Sequence, residues 1–215
     1  MRQVWYVAYG SNLGADRLRC YLVGGRPEGG RRSYPGCRNP SEPEESFSLE
    51  LSGALVFAGE SSVWGGGMAF FDPTGAGSVA CRAYLVTAEQ FADVAAQEMR
   101  LEPGGEFAQA VAEVLYDITA LHRIGPGRYE TVARVGDRDG VPLLTITNGD
   151  VSALTPTLPS NTYLRAIATG LRESHGWDDD RIAAYFASVA MPGGGSAGRR
   201  PRPAAPRRTG GGSPP

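Results

Sequence analysis

Lysine is missing altogether; all 21 basic residues are arginine. That removes Schiff-base catalysis, the usual attachment of pyridoxal phosphate and a Walker-type phosphate loop, each of which depends on a lysine. Cysteine is scarce, and Cys20, Cys37 and Cys81 are odd in number and far apart. Reduced thiols fit that pattern better than a disulfide framework. Histidine is scarcer still: His122 and His175 stand apart, whereas a catalytic zinc normally takes three protein ligands. No metal is therefore expected, and Asp178-Asp179-Asp180 is read as the start of a last helix, where negative charge suits the dipole. There is no apolar run of about 18 residues and no opening segment built like a secretory signal. The expectation is a cytoplasmic protein with no membrane partner. A formal net charge of −2 gives no strong pull on nucleic acid.

What is present is enough for one core. A chain of 215 residues with 41% hydrophobic content suits a single domain plus a tail. The domain is expected over residues 1–190. Residues 191–215 are rich in glycine, proline and arginine, and are expected to stay disordered, a solvated extension whose functional alternative is weak, salt-dependent attraction to RNA, DNA or an acidic partner. A strand is expected at Gln3 to Tyr9, then a long irregular connection and three further strands. A helix from Ala88 to Met99 follows, then a hairpin of Tyr129 to Val135 with Val141 to Thr147, then two closing helices. The order describes an α+β fold, a small mixed β-barrel or sheet with packed helices, existing as a monomer or homodimer. Gly65-Gly66-Gly67 lacks the strand before and helix after that a dinucleotide fingerprint requires, so it reads as a bulge or a close backbone approach.

The first strand stops at Gly10-Ser11-Asn12-Leu13. Glycine removes the side chain from the turn and opens torsion angles closed to other residues. Successive N–H groups in such a turn can converge on a carboxylate or phosphate. An ordinary strand-to-turn boundary would have the same letters.

Tyr6-Val7-Ala8-Tyr9-Gly10-Ser11-Asn12-Leu13 resembles the substrate loop that opens the γ-glutamylcyclotransferase-like family. Gly53-Ala54-Leu55-Val56-Phe57 and Trp64 to Ala69 resemble its second and third strands, Ala83 to Val86 the strand leading into its central helix, and Pro159 to Tyr163 with Gly170 its closing helical segment, in the same order. The resemblance implies a substrate-binding loop at Tyr6, Val7, Ala8, Tyr9, Gly10, Ser11 and Asn12 and a catalytic glutamate at Glu98. It implies a cofactor-independent reaction on a small γ-glutamyl substrate, in which the α-amine attacks the γ-carbonyl and releases 5-oxoproline, as in glutathione metabolism. One glutamate serves as base and then acid. Glu89, Glu102 and Glu106 are rival carboxylates, and Glu98 read without the resemblance is a surface carboxylate paired with Arg100 or Arg172. Departures from the family pattern are Met99 after the glutamate, expected to reshape the pocket, Ala83, and a long connection over residues 24–50 that can act as a lid. They leave open a small-carboxylate-binding module without turnover, or an amide hydrolase or acyltransferase acting on a larger metabolite.

Overall fold

A computed structural model describes residues 2–189. The arginine-rich tail expected from residue 191 lies outside the described residues.

Four of the expected strands form close to their expected bounds, β1 (Gln3–Ala8), β3 (Ala54–Ala58), β7 (Thr131–Arg138) and β8 (Val141–Thr147), whereas β4 (Met68–Asp72) shares only Met68 and Ala69 with the expected Trp64–Ala69 segment, whose Gly65 and Gly66 take positive φ. β5 is longer than expected, running Ser78–Thr87. Two strands were not expected, β2 (Ser46–Ser52) and β6 (Leu121–Arg123). β2 begins inside the stretch read as irregular connection, which therefore shortens to residues 24–45. Six strands form one sheet in the order β2-β5-β1-β8-β7-β6, and β3 pairs with β4 as a separate ribbon. β1 and β8 run parallel, and the other pairs run antiparallel. Of the two expected forms, barrel or sheet, the sheet is the one observed.

β1 lies at the centre and is buried on both faces, which is why its sequence is almost continuously apolar. Trp5 and Val7 enter one core with Leu13, Phe57, Phe71 and Ile167. Val4, Tyr6 and Ala8 enter another, with Leu18, Tyr84, Phe91 and Val94. Helices α1 (Ala15–Val23), α2 (Ala88–Glu98) and α3 (Glu106–Val114) supply the second core, while α4 (Asn161–His175) and α5 (Asp179–Ser188) pack on the first. α1 and α3 are additions to the sequence reading. Residues 11–13 form a single 3-10 turn between β1 and α1.

α2 is fixed at its start by Thr87, whose hydroxyl accepts from the Gln90 N–H while the Gln90 side chain accepts from the Thr87 N–H. Such a box is worth about 1 kcal/mol. Phe91, fully buried, contributes on the order of 1.5–3 kcal/mol more through apolar burial. Together they set the register that brings Glu98 to the last turn. α4 is placed by a close contact: a Cβ on Gly170 would lie 2.5 Å from the Leu13 Cβ and 2.6 Å from the Gly14 nitrogen. Asp178 caps α5 by accepting from the Arg181 N–H at 2.8 Å, the role the aspartate run was given. Gly67 donates its N–H to the Leu158 carbonyl at 2.8 Å, a close backbone approach rather than a nucleotide loop. Among the described residues no helix is long and apolar enough to cross a membrane.

Candidate active site

Where β1 ends, the chain opens onto a cavity of about 490 Å³. Its walls come from the 3-10 turn, α1, residues 31–35, residues 61–64, the last turn of α2 and Tyr163 of α4. Both Ser11 and Glu98 line it, as do Tyr6, Tyr9, Gly10 and Asn12. Val7 and Ala8 do not. Their side chains alternate to opposite faces of β1 and are consumed by the two cores, so these two positions support the loop from behind.

The turn is held rigidly from outside the cavity. The Tyr84 hydroxyl bonds to the carbonyls of Asn12 (2.9 Å) and Leu13 (3.0 Å). Within the turn, Leu13 and Gly14 donate to the carbonyls of Gly10 and Ser11. The N–H groups of Ser11 and Asn12 have no partner among the described residues. Gly10 has φ −112° and ψ −143°, outside the left-handed, helical and ordinary extended regions. Glycine is required there for space: a Cβ would come 2.9 Å from the Tyr163 hydroxyl. The Tyr9 hydroxyl is already committed, donating to the Ile146 carbonyl at 2.7 Å.

Glu98 is the last residue of α2 and its carboxylate faces the turn. The Asn12 amide donates to Glu98 Oε1 at 3.2 Å and to the Tyr6 hydroxyl at 2.9 Å, which ties strand, turn and helix together. Burial raises the Glu98 pKa above the ordinary glutamate value, against the opposing pull of Arg17, the Tyr21 hydroxyl, Asn12 and Arg128. Tyr6 is pushed upward too, first by burial and then by the Glu98 charge, and so keeps its proton. The surface pairing considered for Glu98 does not form. Arg172 bonds to Asp179 at 2.6 Å, and Arg100 donates to the Ser62 hydroxyl. Of the rival carboxylates, Glu89 pairs with Arg38 at 3.1 Å, Glu106 starts α3, and Glu102 lines the cavity from an exposed position.

Met99, expected to reshape the pocket, is not among the residues that line the cavity. Its sulfur accepts from the Tyr129 N–H at 3.2 Å and its methyl packs toward Gly127, behind the wall. Ala83 is buried in β5 opposite Val7. The long connection does reach the site, through residues 31–35.

Arg17 was not singled out by its sequence. It sits on α1, only 8% exposed, with its guanidinium 4.4 Å from the Tyr21 ring centre and 4.5 Å from that of Tyr34. One nitrogen donates to the hydroxyls of Tyr21 (3.1 Å) and Tyr34 (2.7 Å). Its Nε and Nη1 are buried without a partner among the described residues, as is Asn12 Oδ1. Unpaired buried donors on a permanent charge are costly, and these belong to a residue that lines the cavity. The visible signal was the four-residue spacing of Arg17 and Tyr21 on one helix face. Among the described residues no three His, Cys, Asp or Glu side chains are grouped to hold a metal.

This arrangement of sheet, ribbon and helices is the γ-glutamyl cyclotransferase-like fold. A solved structure titled gamma-glutamyl cyclotransferase superposes with a TM-score of 0.52 over 89% of this chain and 90% of that one, at 14% identity. An uncharacterized Homo sapiens protein gives a TM-score of 0.49 over 90% of this chain and 91% of its own, at 17% identity. At 14% identity the likeness to the first is one of fold. In sequence, histone deacetylase 5 of Arabidopsis thaliana is 29% identical over 196 residues, covering 80% of this chain. The chain spans 29% of that protein's length. No protein-family model matches the sequence.

Proposed function

We propose that the protein is a cofactor-independent γ-glutamyl cyclotransferase. The observation that carries this reading is the meeting of Glu98, with its raised pKa, and the buried, incompletely bonded Arg17 in one cavity beside the Ser11–Asn12 turn. A free α-amino acid end is a zwitterion, and a carboxylate beside a guanidinium is complementary to it. The substrate's α-carboxylate pairs with the Arg17 guanidinium, and its α-ammonium faces Glu98.

Glu98 accepts a proton from the ammonium. The freed amine attacks the substrate's own γ-carbonyl, forming the C–N bond of a five-membered ring. Attacker and target belong to one bound molecule, so the step is unimolecular, and such positioning is worth several kcal/mol of barrier. The N–H groups of Ser11 and Asn12 are the donors offered to the oxygen as it gains charge. Glu98 then returns its proton to the departing nitrogen as the original amide bond breaks, and the second proton shed by the ring nitrogen leaves with the amine, giving 5-oxoproline and an ammonium. A pKa raised by burial suits a group that must both take and give a proton near neutrality. No nucleophilic side chain or cofactor enters these steps. The small γ-glutamyl compound is the partner proposed, and three free thiols fit action in the reducing cytoplasm.

Incubating the protein and its Glu98→Gln variant with γ-glutamyl amino acids and amines, with 5-oxoproline read by mass spectrometry, tests the reading. Product from the parent and not the variant is the expected result. Saturable binding without product from any of the compounds would replace the enzyme with a binding module of the same fold.

A further inference from the structure

The chain is slightly acidic, with a formal net charge of −2, yet its cavity is basic. Arg17, Arg31, Arg32, Arg100 and Arg128 line it, against the carboxylates of Glu98 and Glu102. Elsewhere arginines meet acids: Arg38 with Asp93 at 2.9 Å, Arg82 with Glu173, Arg134 with Asp137 and Arg172 with Asp179. Among the described residues, none of the five cavity arginines makes such a pair.

Four of them stand nearer the solvent than Arg17 and come from three separate segments. Arg31 and Arg32 are exposed on the connection after α1, Arg100 follows α2, and Arg128 precedes β7. Arg100 and Arg128 spend hydrogen bonds on neutral acceptors, the Ser62 hydroxyl and the Met68 sulfur. They also feel one another: burial, then the charges of Arg128 and Arg32, lower the Arg100 pKa from its ordinary value. Like charges brought together without acids oppose folding.

The backbone at Arg100 adds a second cost. Its φ is +63°, and its N–H closes the end of α2 on the Gln97 carbonyl at 3.0 Å. Helices that end in this left-handed conformation usually place glycine there. An arginine occupies the position against its backbone preference, and its side chain lines the cavity.

We infer that the leaving group of the γ-glutamyl substrate carries two negative charges, as a dicarboxylic or phosphoryl-bearing amine, and that Arg31, Arg32, Arg100 and Arg128 receive it. The inference rests on the cyclotransferase reading, which puts the glutamyl end against Arg17 and Glu98 and so turns the departing amine toward these four. A cationic leaving group would be repelled by the same residues.

The test compares kcat/KM for 5-oxoproline release from γ-glutamylaspartate, γ-glutamyl-O-phosphoethanolamine and γ-glutamylasparagine. The first and last are nearly the same shape and differ by one charge. At least one dianionic compound should exceed the asparagine compound by about tenfold, and the better of the two identifies the source of the charge. That ratio should shrink as salt is raised to about 0.5 M. Arg100→Gly should lower the ratio while raising the melting temperature, so lost preference cannot be put down to misfolding; Arg128→Gln should lower it as well. Equal rates for all three compounds overturn the inference and leave the cyclotransferase intact. Should none yield 5-oxoproline, the cyclotransferase reading fails, and calorimetry decides the anion site separately. Tighter binding of γ-glutamylaspartate than of γ-glutamylasparagine, weakened by Arg100→Gly, supports the site, and equal or absent binding overturns it.

Discussion

Asp93 and Glu98 are carboxylates five residues apart on one helix, about 140° apart around its axis. Asp93 is fully buried and saturated: it accepts from the Arg38 backbone N–H (2.9 Å), from Arg38 Nε and Nη2 (3.1 and 2.9 Å), and from the Gly104 N–H (2.8 Å). Glu98 receives one amide, that of Asn12, and forms no ion pair within 4.0 Å among the described residues. A carboxylate whose lone pairs are all occupied fastens two segments together and has no capacity left to move a proton. A carboxylate left half-satisfied at a cavity keeps that capacity and contributes little to holding the fold. The difference lies in the donors each one meets.

The sharpest separation should come from neutralising each in turn. Glu98→Gln is expected to cut 5-oxoproline formation by about 10²–10⁴-fold with the melting temperature nearly unchanged. Asp93→Asn should do the reverse, lowering unfolding free energy by about 3–5 kcal/mol in a denaturant titration, because it leaves the Arg38 guanidinium facing a neutral group. If both variants lost stability alike, the distinction would collapse. A smaller effect tests the turn that supplies Asn12. Gly170→Ala must displace Leu13 or α4, at about 1–3 kcal/mol by chemical denaturation, and activity should fall with the misplaced amide.

The smallest effect is a pH dependence. Since folding raises the Glu98 pKa, the folded chain holds a proton that the unfolded chain has released over the window between the ordinary and raised values. Stability from this group is thus present below the ordinary value, declines as pH rises through the window, and is flat above it. Thermal melts of the parent and the Glu98→Gln variant should diverge in the variant's favour across that window. Catalysis, needing the ionised form, should rise over the same range.

Much of the fold was legible in the chain because β1, α2 and the β7–β8 hairpin carry strong local periodicity. β2 is equally periodic, with Phe47, Leu49 and Leu51 alternating with Ser46, Ser48 and Glu50, but at seven residues directly after a stretch rich in glycine and proline it is short enough to pass for part of the connection. α1 and α3 are short and sit between glycines, so Leu18, Tyr21 and Leu22, or Phe107, Ala108 and Val111, gave too few turns to stand out. The turn and Glu98 were found by resemblance, since their residue types alone suit an ordinary turn and an ordinary surface acid. Arg100 and Arg128 were beyond reach of sequence. They acquire meaning only when distant segments are folded against one another, and nothing local distinguishes them from Arg26 or Arg165.

The contact between Gly170 and the Leu13–Gly14 backbone has a consequence for how the protein comes into being. The turn at the amino end is completed from the far end of the chain: α4 docks on it, and the Glu173 carboxylate accepts from the Ala15 N–H across 158 residues of sequence. Tyr163, one wall of the cavity, arrives on the same helix. A ribosome must therefore release nearly the whole domain before the pocket exists, and a half-made chain, though it already carries the strand, the turn and Glu98, has nowhere to bind a substrate.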